Sequence, residues 1–411
     1  MSKIHVCYGF HDSDGHYSKF AGTSMLSMFE NTKEDIVVHI LHDNTLTEDN
    51  RNKFNDIAKR YDQQVIFYNL EVLIPDKIEE IKKRIPDISN HRLGVGATYR
   101  LMISSVIPND IDRVIYLDSG DTIVHRDIKD LWNIDVFNYP LAAVTESTIG
   151  TPYPYNPVCR DGFVEPENYF NSGVLLLNLG RLRKAPNIFE AGIKFRGEHP
   201  GYITLDQTIL NYCFSTNYLK LTKDFNTYVC WQRRDNIYKI ENVIYHYNSS
   251  PLGIGINLNT SDVYSHLYLE YFSKTPWFNV DMLGNLFKSI CQLCNEKQGL
   301  AIQITKLLAG KGRAFFADQR DLEALEKIFG ITSNEVTITA TMPPDQSVHL
   351  LLSSMKKSKS KKLFFIFVVY YDNLRDFLIK QGFIEGRDFI NGNVFFQKNP
   401  QQDSYFLVRA M

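Results

Sequence analysis

A short apolar segment that ends abruptly in two carboxylates constrains this chain more than any other. Residues 114–117 are too few for a helix and favour a buried strand, and Asp118 and Asp121 follow directly, separated by Ser-Gly. Open α/β sheets bind ligands at the carboxyl ends of their strands. Two adjacent carboxylates repel each other unless a cation lies between them. The segment therefore predicts a divalent metal ion and, next to it, a phosphate-bearing substrate.

The amino-terminal part of the chain alternates between strand-like and helix-like segments. Three predicted strands and two predicted helices follow one another between residues 4 and 68. This alternation indicates an α/β chain with a parallel, Rossmann-like sheet. Gly94 and Gly96 lack both a third glycine and a preceding strand, so an NAD-dependent oxidoreductase is disfavoured.

The chain is longer than a single core usually accommodates. Its 411 residues predict two domains, which we place at residues 1–282 and 283–411. The first is the predicted catalytic domain. The second is a smaller α/β unit that shows no metal-ligand or nucleophile spacing, and we expect it to be an accessory domain.

The composition restricts which cellular compartment and which classes of partner are expected. A formal charge of −2 argues against a nucleic-acid polymer as partner, and no segment approaches the length of a membrane span. The chain begins with a strand rather than a signal peptide, and its six scattered cysteines indicate reduced thiols in the cytoplasm. Cys291 and Cys294 are expected to be core thiols on one helical turn, with zinc or redox chemistry as the lesser alternative.

His246 completes a candidate metal site with the two aspartates. It ends another predicted strand, so we expect it on the same sheet edge as Asp118 and Asp121. Two carboxylates and an imidazole suit a divalent ion such as Mn²⁺ and leave coordination positions open for diphosphate oxygens. Taken singly, the two acids are better explained as exposed turn residues and His246 as a hydrogen-bonded histidine, so the prediction depends on all three lying together.

Asp14, His16 and Tyr17 follow the first predicted strand, where a nucleotide base would lie. A carboxylate there accepts a hydrogen bond from a uracil N–H, and a tyrosine stacks on the ring. A solvated turn is the equally weighted alternative.

Four further polar residues are candidates for contacts with a sugar. Arg100 precedes the carboxylate strand on a predicted helix beginning at Thr98, and binds sugar hydroxyls or neutralises Asp118; a surface ion pair is the alternative. Asn171, Asp206 and Gln207 are groups that grip a hexose, although each alone is more often a cap or turn residue.

Together these motifs resemble glycosyltransferase family 8, whose members include bacterial lipopolysaccharide galactosyltransferases and glycogenin. The resemblance covers about the first two-thirds of the chain. Its matching segments are the loop around residue 17 and residues 98–101, 116–121, 170–179, 205–210, 246–247 and 274–277.

The resemblance implies a GT-A fold that binds a nucleotide sugar, a UDP-linked donor, Mn²⁺ and retention of anomeric configuration. It makes Asp118, Asp121 and His246 the metal ligands. Asp14 and Tyr17, with His16 between them, would hold the uridine.

The resemblance also implies the surroundings of the donor sugar. Arg100, Asn171, Asp206 and Gln207 would enclose it, with Gln207 on the face where the retaining reaction occurs. Ser119, between the two aspartates, would join the donor-binding set.

Two departures from the family pattern stand out. The family usually has Asp-X-Asp, whereas two residues separate Asp118 from Asp121. A lysine that usually follows the histidine and contacts the diphosphate is absent, and backbone N–H groups at Gly253 and Gly255 are the predicted substitute.

These observations predict a cytoplasmic, retaining, Mn²⁺-dependent transferase that moves a hexose, galactose ahead of glucose, from a UDP-sugar to a glycan acceptor on protein or lipid. The carboxy-terminal unit is similar to accessory domains of bacterial enzymes that build surface glycans, which implies an adhesin-type, serine-rich protein as acceptor. The alternative, of a different class, is a binding or chaperone subunit that kept the fold and lost catalysis.

Overall fold

The computed structural model divides the chain into two compact units, Met1–Asn279 and Val280–Met411. It describes residues 3–90, 94–149, 157–185, 187, 189–200, 202, 204–248, 262–280, 311–317, 322, 335–340, 345–368, 371–392, 396–398 and 405–407. The predicted domain boundary lies three residues beyond the observed division. Cys291, Cys294, Gly253 and Gly255 lie outside the described residues.

The first unit contains ten described strands. They are β1 (Ile4–Gly9), β2 (Ile36–His42), β3 (Gln64–Asn69), β4 (Arg113–Leu117), β5 (Thr122–Val124), β6 (Leu141–Thr145), β7 (Phe170–Asn178), β8 (Leu219–Lys220), β9 (Thr227–Tyr228) and β10 (Ile244–His246). Seven of them form one sheet in the order β3-β2-β1-β4-β7-β6-β8.

Helices connect these strands and cover the sheet. They are α1 (His16–Asn31), α2 (Glu48–Arg60), α3 (Leu70–Leu73), α4 (Pro75–Arg84), α5 (Ile103–Val106), α6 (Lys129–Trp132), α7 (Glu146–Ile149), α8 (Pro157–Arg160), α9 (Leu179–Lys184), α10 (Glu190–Glu198), α11 (Leu205–Phe214), α12 (Val229–Arg234) and α13 (Val263–Phe272). Four 3₁₀ helices span Pro86–Asn90, Val95–Met102, Pro166–Asn168 and Lys223–Phe225.

The amino-terminal half of the sheet is parallel, as the alternation of elements predicts. β1 pairs in parallel with both β2 and β4, and β2 with β3. All seven residues of β2 are buried, which is typical of a strand covered on both faces. The Thr47 side chain caps α2 by accepting a hydrogen bond from the Asn50 N–H, 3.2 Å away.

The sheet does not stay parallel beyond β4. β7 runs antiparallel to β4 and to β6, so the sheet is mixed. Because β7 runs antiparallel to its neighbours, its amino-terminal end lies at the edge of the sheet where β4 and β6 have their carboxyl ends. Asn171 and Ser172 therefore lie beside Asp118, although they begin a strand and Asp118 follows one.

The prediction that His246 lies on the same sheet edge as the aspartates is wrong. β10 belongs to a separate three-stranded sheet, in the order β5-β10-β9. β5 starts directly after Asp121 and pairs antiparallel with β10, which places His246 opposite Thr122. Antiparallel pairing of β5 with β10, two strands far apart in the sequence and outside the main sheet, thus brings the imidazole to the carboxylates.

The helix predicted to begin at Thr98 also differs. Residues Val95–Met102 form a 3₁₀ helix, and only the following turn, α5, is α-helical. All residues from Gly96 to Met102 are buried, and packing against the sheet overrides local helix preference.

The second unit contains a four-stranded parallel sheet, in the order β12-β11-β13-β14 of the following described elements. They are β11 (Gly312–Ala317), β12 (Val336–Thr339), α14 (Asp345–Ser358), β13 (Lys362–Phe367), α15 (Tyr371–Lys380), β14 (Phe389–Asn391), β15 (Phe396–Lys398) and β16 (Tyr405–Leu407). The α/β character predicted for this half is confirmed. No helix within the described residues has both the length and the apolar character needed to cross a membrane.

Candidate metal and donor-sugar site

Asp118 is the first residue after β4, and its backbone is held on both sides. Its N–H donates to the Gly173 carbonyl at 2.7 Å, and the Thr122 hydroxyl donates to its carbonyl at 2.8 Å. Ser119 is buried, and its hydroxyl donates to the Gly9 carbonyl of β1 at 3.2 Å. The loop that carries the aspartates is thereby fixed to three neighbouring strands.

The structure brings the three candidate metal ligands together. One ligand atom from each of Asp118, Asp121 and His246 lies within 4.8 Å of the others, the only such group of acidic, histidine or cysteine side chains among the described residues. His246 Nε2 is 3.3 Å from Asp121 Oδ1 and 3.8 Å from Asp118 Oδ2. Burial lowers the pKa of His246, but Asp121 and Asp118 outweigh this effect and raise it above its ordinary value.

Gly173 leaves the space that the imidazole occupies. A Cβ built on Gly173 would lie 2.3 Å from His246 Cε1, well inside the distance at which two carbons touch. A glycine is therefore required at this position of β7 for His246 to reach the aspartates.

Arg100 forms an ion pair with one of the two carboxylate oxygens of Asp118. Its guanidinium donates to Asp118 Oδ1 at 2.8 Å and to the Ser172 carbonyl at 2.8 Å, and lies 3.1 Å from Asp206 Oδ2. Burial lowers the pKa of Arg100, but the two carboxylates outweigh it and raise the pKa further above neutrality. Arg100 thus neutralises Asp118 through Oδ1, which is the second of its two predicted roles. The other carboxylate oxygen, Oδ2, faces His246.

Asp206 and Gln207 lie in the first turn of α11 and are buried. The Ser172 hydroxyl donates to Asp206 at 2.9 Å, and burial raises the pKa of Asp206 although Arg100 opposes it. Asp206 is therefore an internal counter-charge for Arg100 as well as a candidate sugar contact.

The Gln207 carboxamide is hydrogen-bonded at both ends. Its Oε1 accepts from Asn171 Nδ2 at 2.9 Å and from the Ser172 N–H at 3.0 Å. Its Nε2 donates to Glu146 at 3.1 Å and to the Tyr169 hydroxyl at 2.9 Å. Because a backbone N–H can only donate, the atom facing Ser172 is the oxygen, and the orientation of the amide is determined.

The predicted base-binding residues lie on the loop between β1 and α1. The Tyr17 ring packs beside the carboxylate loop, since a Cβ on Gly120 would lie 3.3 Å from Tyr17 Cε1. His16 begins α1, and Asp14 is exposed. Of the three predicted base-binding residues, Tyr17 is thus the one that the structure shows beside the carboxylate loop.

Sequence reasoning missed several residues of this network. Glu146 follows β6 and accepts hydrogen bonds from Gln207 and from the Tyr228 hydroxyl at 3.0 Å. An apolar run ending in an acid was the available signal, as at Asp118.

Asp12, not Asp14, is the buried carboxylate after β1, and it accepts hydrogen bonds from the Asn50 amide at 3.1 Å and from the Ser18 hydroxyl. No local sequence pattern indicated Asn226, because the strand that it precedes has only two residues.

Comparison with known proteins identifies the class first. The chain is similar to the solved structure of the galactosyltransferase LgtC in complex with donor and acceptor sugar analogs, with a TM-score of 0.54 and 20% identity over 68% of this chain and 99% of that one. The architecture is therefore the GT-A fold, which confirms the predicted fold class.

The family follows from the sequence comparison. The family model for glycosyl transferase family 8 matches residues 10–251, more than half of the chain, and the chain belongs to this family. A "Putative glycosyltransferase" of Haemophilus influenzae is 33% identical over 214 residues, covering 48% of this chain and 56% of that protein. General stress protein A of Bacillus subtilis is 25% identical over 304 residues, covering 69% of this chain and 98% of that protein. The chain thus spans little more than half the length of the Haemophilus relative.

Proposed function

We propose that this protein is a retaining, Mn²⁺-dependent glycosyltransferase that moves a hexose, galactose ahead of glucose, from a UDP-sugar to a glycan acceptor on protein or lipid. The observation that carries the proposal is the convergence of Asp118, Asp121 and His246 within 4.8 Å of one another, in a family 8 chain. Six scattered cysteines in a chain of this length support the cytoplasm as the compartment.

The donor set fits a divalent cation. Two carboxylates and a neutral imidazole are the ligands that Mn²⁺ accepts, and each side chain turns an oxygen or nitrogen toward the others. A cation bound there would offset the charge that develops on the diphosphate leaving group. Arg100 prepares the site by removing part of the repulsion at Asp118 through its hydrogen bond to Oδ1.

The polar side chains around Gln207 support same-face displacement. Both ends of the Gln207 amide are engaged by protein groups, so its oxygen is not available to attack the anomeric carbon. Asn171 and Asp206 are the proposed contacts for sugar hydroxyls while the ring gains oxocarbenium character. The departing phosphate would take the proton of the acceptor hydroxyl, so that no covalent glycosyl-enzyme is formed.

Release of UDP from UDP-galactose and UDP-glucose tests the proposal. We expect turnover with Mn²⁺ and none with excess EDTA. Asp118→Asn should lower turnover by a factor of about 100 or more, because a bound cation supplies several kcal/mol of charge stabilisation. Asp49→Asn, which changes an exposed acid of α2, is the control and should turn over normally. Metal-independent turnover in Asp118→Asn would rule out the metal site.

The second candidate is a binding or chaperone subunit without catalysis. The wider aspartate spacing and the absent lysine favour it. Such a protein would show no metal-dependent release of UDP from any donor, whereas it would still bind a partner glycosyltransferase. The donor screen described above therefore distinguishes the two functions.

A further inference from the structure

Asn226 links the donor-sugar side of the site to the candidate metal side. It is fully buried and lies between the 3₁₀ helix Lys223–Phe225 and β9. Its Nδ2 is 2.7 Å from Asn171 Oδ1, and its Oδ1 is 2.9 Å from His246 Nδ1. Two amides and an imidazole therefore form a continuous hydrogen-bonded chain that ends at a candidate metal ligand.

The direction of this chain is determined at its first member. The Gly173 N–H lies 2.8 Å from one end of the Asn171 amide, and a backbone N–H can only donate. That end is consequently the oxygen. The other end of Asn171 faces Gln207 Oε1, which already accepts from the Ser172 N–H, and this requires a nitrogen there. Two independent backbone donors thus assign the same orientation.

The orientation of the Asn171 amide determines which ring nitrogen of His246 carries a hydrogen. Because Asn171 presents its oxygen to Asn226, the facing atom of Asn226 must be its NH₂ group. The carbonyl oxygen of Asn226 then faces His246 Nδ1, so Nδ1 must carry the hydrogen. In the neutral ring the lone pair is left on Nε2, the nitrogen that faces Asp118 and Asp121.

We infer that Asn226 is a positioning residue that holds the His246 imidazole as the Nδ1–H tautomer, with its Nε2 lone pair directed at the aspartates. Ligating histidines generally donate their other N–H to a fixed acceptor, which sets ring orientation. The space that Gly173 leaves for the ring completes the arrangement. The hydrogen bond from Nδ1–H to Asn226 belongs to the chain without metal, whereas the consequence for metal binding rests on the proposed function.

Nitrogen-15 NMR of histidine-labelled, metal-free protein tests the tautomer directly. At pH values where the ring is neutral, we expect His246 to show a protonated Nδ1 and an unprotonated Nε2. Asn226→Leu removes the acceptor while keeping similar volume, and should shift the ring toward the Nε2–H tautomer that free imidazole side chains prefer. The dissociation constant for Mn²⁺, measured by titration calorimetry, should rise by about 10- to 100-fold.

Two further variants separate positioning from a general loss of stability. Asn226→Asp is isosteric, and in its protonated form it donates an O–H to Asn171 Oδ1 while keeping a carbonyl oxygen at His246 Nδ1, so it should restore the Nδ1–H tautomer. Asn31→Leu removes an amide that makes three hydrogen bonds away from this chain, and should leave both the tautomer and Mn²⁺ affinity unchanged.

The outcomes distinguish this inference from the proposed function. A folded Asn226→Leu protein with an unchanged tautomer and Mn²⁺ affinity would overturn the role of Asn226. A wild-type protein with the Nε2–H tautomer would also overturn it. A wild-type protein with the Nδ1–H tautomer but no affinity for Mn²⁺ would instead overturn the metal site of the proposed function.

Discussion

Glu146 is the charged acceptor of the polar network around the Gln207 carboxamide. Its Oε1 accepts hydrogen bonds from Gln207 Nε2 and from the Tyr228 hydroxyl. Hydrogen bonds to a charged partner contribute about 1.5–3 kcal/mol, roughly twice the value for neutral pairs. A single carboxylate after β6 therefore orients two side chains beside the candidate site.

We expect Glu146→Gln to lower kcat about 10- to 100-fold while the protein stays folded, since the neutral amide loses the charge and can accept with only one end. Steady-state UDP release measures kcat, and thermal unfolding checks the fold. Glu48→Gln, at an exposed acid in the first turn of α2, is the matched control. A Glu146→Gln enzyme with the kcat of the control would show that this charge does not organise the site.

His39 is a residue for which burial predicts a pH effect on stability. It lies in β2 between His5 and the Tyr68 hydroxyl, each 3.0 Å from one of its ring nitrogens. Burial, with a smaller contribution from His5, lowers the pKa of His39 from 6.5 to about 3. In the unfolded chain His39 binds a proton below about pH 6.5, whereas in the folded chain it stays neutral down to about pH 3.

The free energy of unfolding should consequently fall as the pH drops from 6.5 toward 3, with His39 contributing at most about 1.4 kcal/mol for each pH unit. Urea unfolding at several pH values measures this slope. His39→Gln should show a shallower decline than the wild type, whereas His266→Gln, at an exposed histidine of α13, should not. Equal slopes in His39→Gln and wild type would contradict the assignment.

At the scale of elements, the antiparallel insertion of β7 builds the site. β4 and β6 end at the site edge and β7 begins there, so residues at strand ends and at a strand start meet. The short sheet of β5, β9 and β10 then supplies His246 from a third direction. Close packing of these elements explains why a glycine occupies position 173.

Gly173→Ala should displace the His246 ring, because the new methyl group would overlap Cε1. We expect the free energy of unfolding to fall by about 1–3 kcal/mol, as for overpacked cores, and Mn²⁺ affinity to fall with it. Gly312→Ala is the control in a strand of the second unit, where the nearest atom to a new Cβ lies at an ordinary 3.6 Å. Unaltered Mn²⁺ affinity in Gly173→Ala would show that the ring does not need this space.

At the scale of the whole molecule, the two units have separate hydrophobic cores. One core cluster draws only on residues of the first unit, including Tyr116, Leu175 and Ile209. Another draws only on the second unit, including Phe316 and Phe364. Every described candidate site residue lies in the first unit.

A chain ending at Asn279 should therefore fold cooperatively and release UDP from its donor at a rate within about tenfold of the full chain, if water serves as acceptor. Circular dichroism and a UDP-release assay check the two parts of this prediction. If the second unit is an accessory domain that positions the acceptor, as the sequence predicts, transfer to a glycan acceptor should be weakened. A truncated chain that does not fold would show that the two cores depend on each other.

The local signals in the chain were sufficient for much of this architecture. Strands β1, β2 and β3, the start of α2 after Thr47 and strand β4 leading to Asp118 follow from apolar runs and turn residues close together in sequence. The same signals failed at Thr98, where buried packing produces a 3₁₀ helix, and at Glu146, whose strand was not recognised.

The sequence by itself determined the α/β class, the family motifs and the residue types that suit a divalent cation and a sugar. Only the tertiary structure decided that β7 runs antiparallel, that His246 arrives on a separate sheet, and that Asn226 lies between Asn171 and His246. The reason is physical. Hydrophobic periodicity and capping act over a few neighbouring residues, whereas strand order and a hydrogen-bonded chain joining residues 171, 226 and 246 depend on contacts between distant segments.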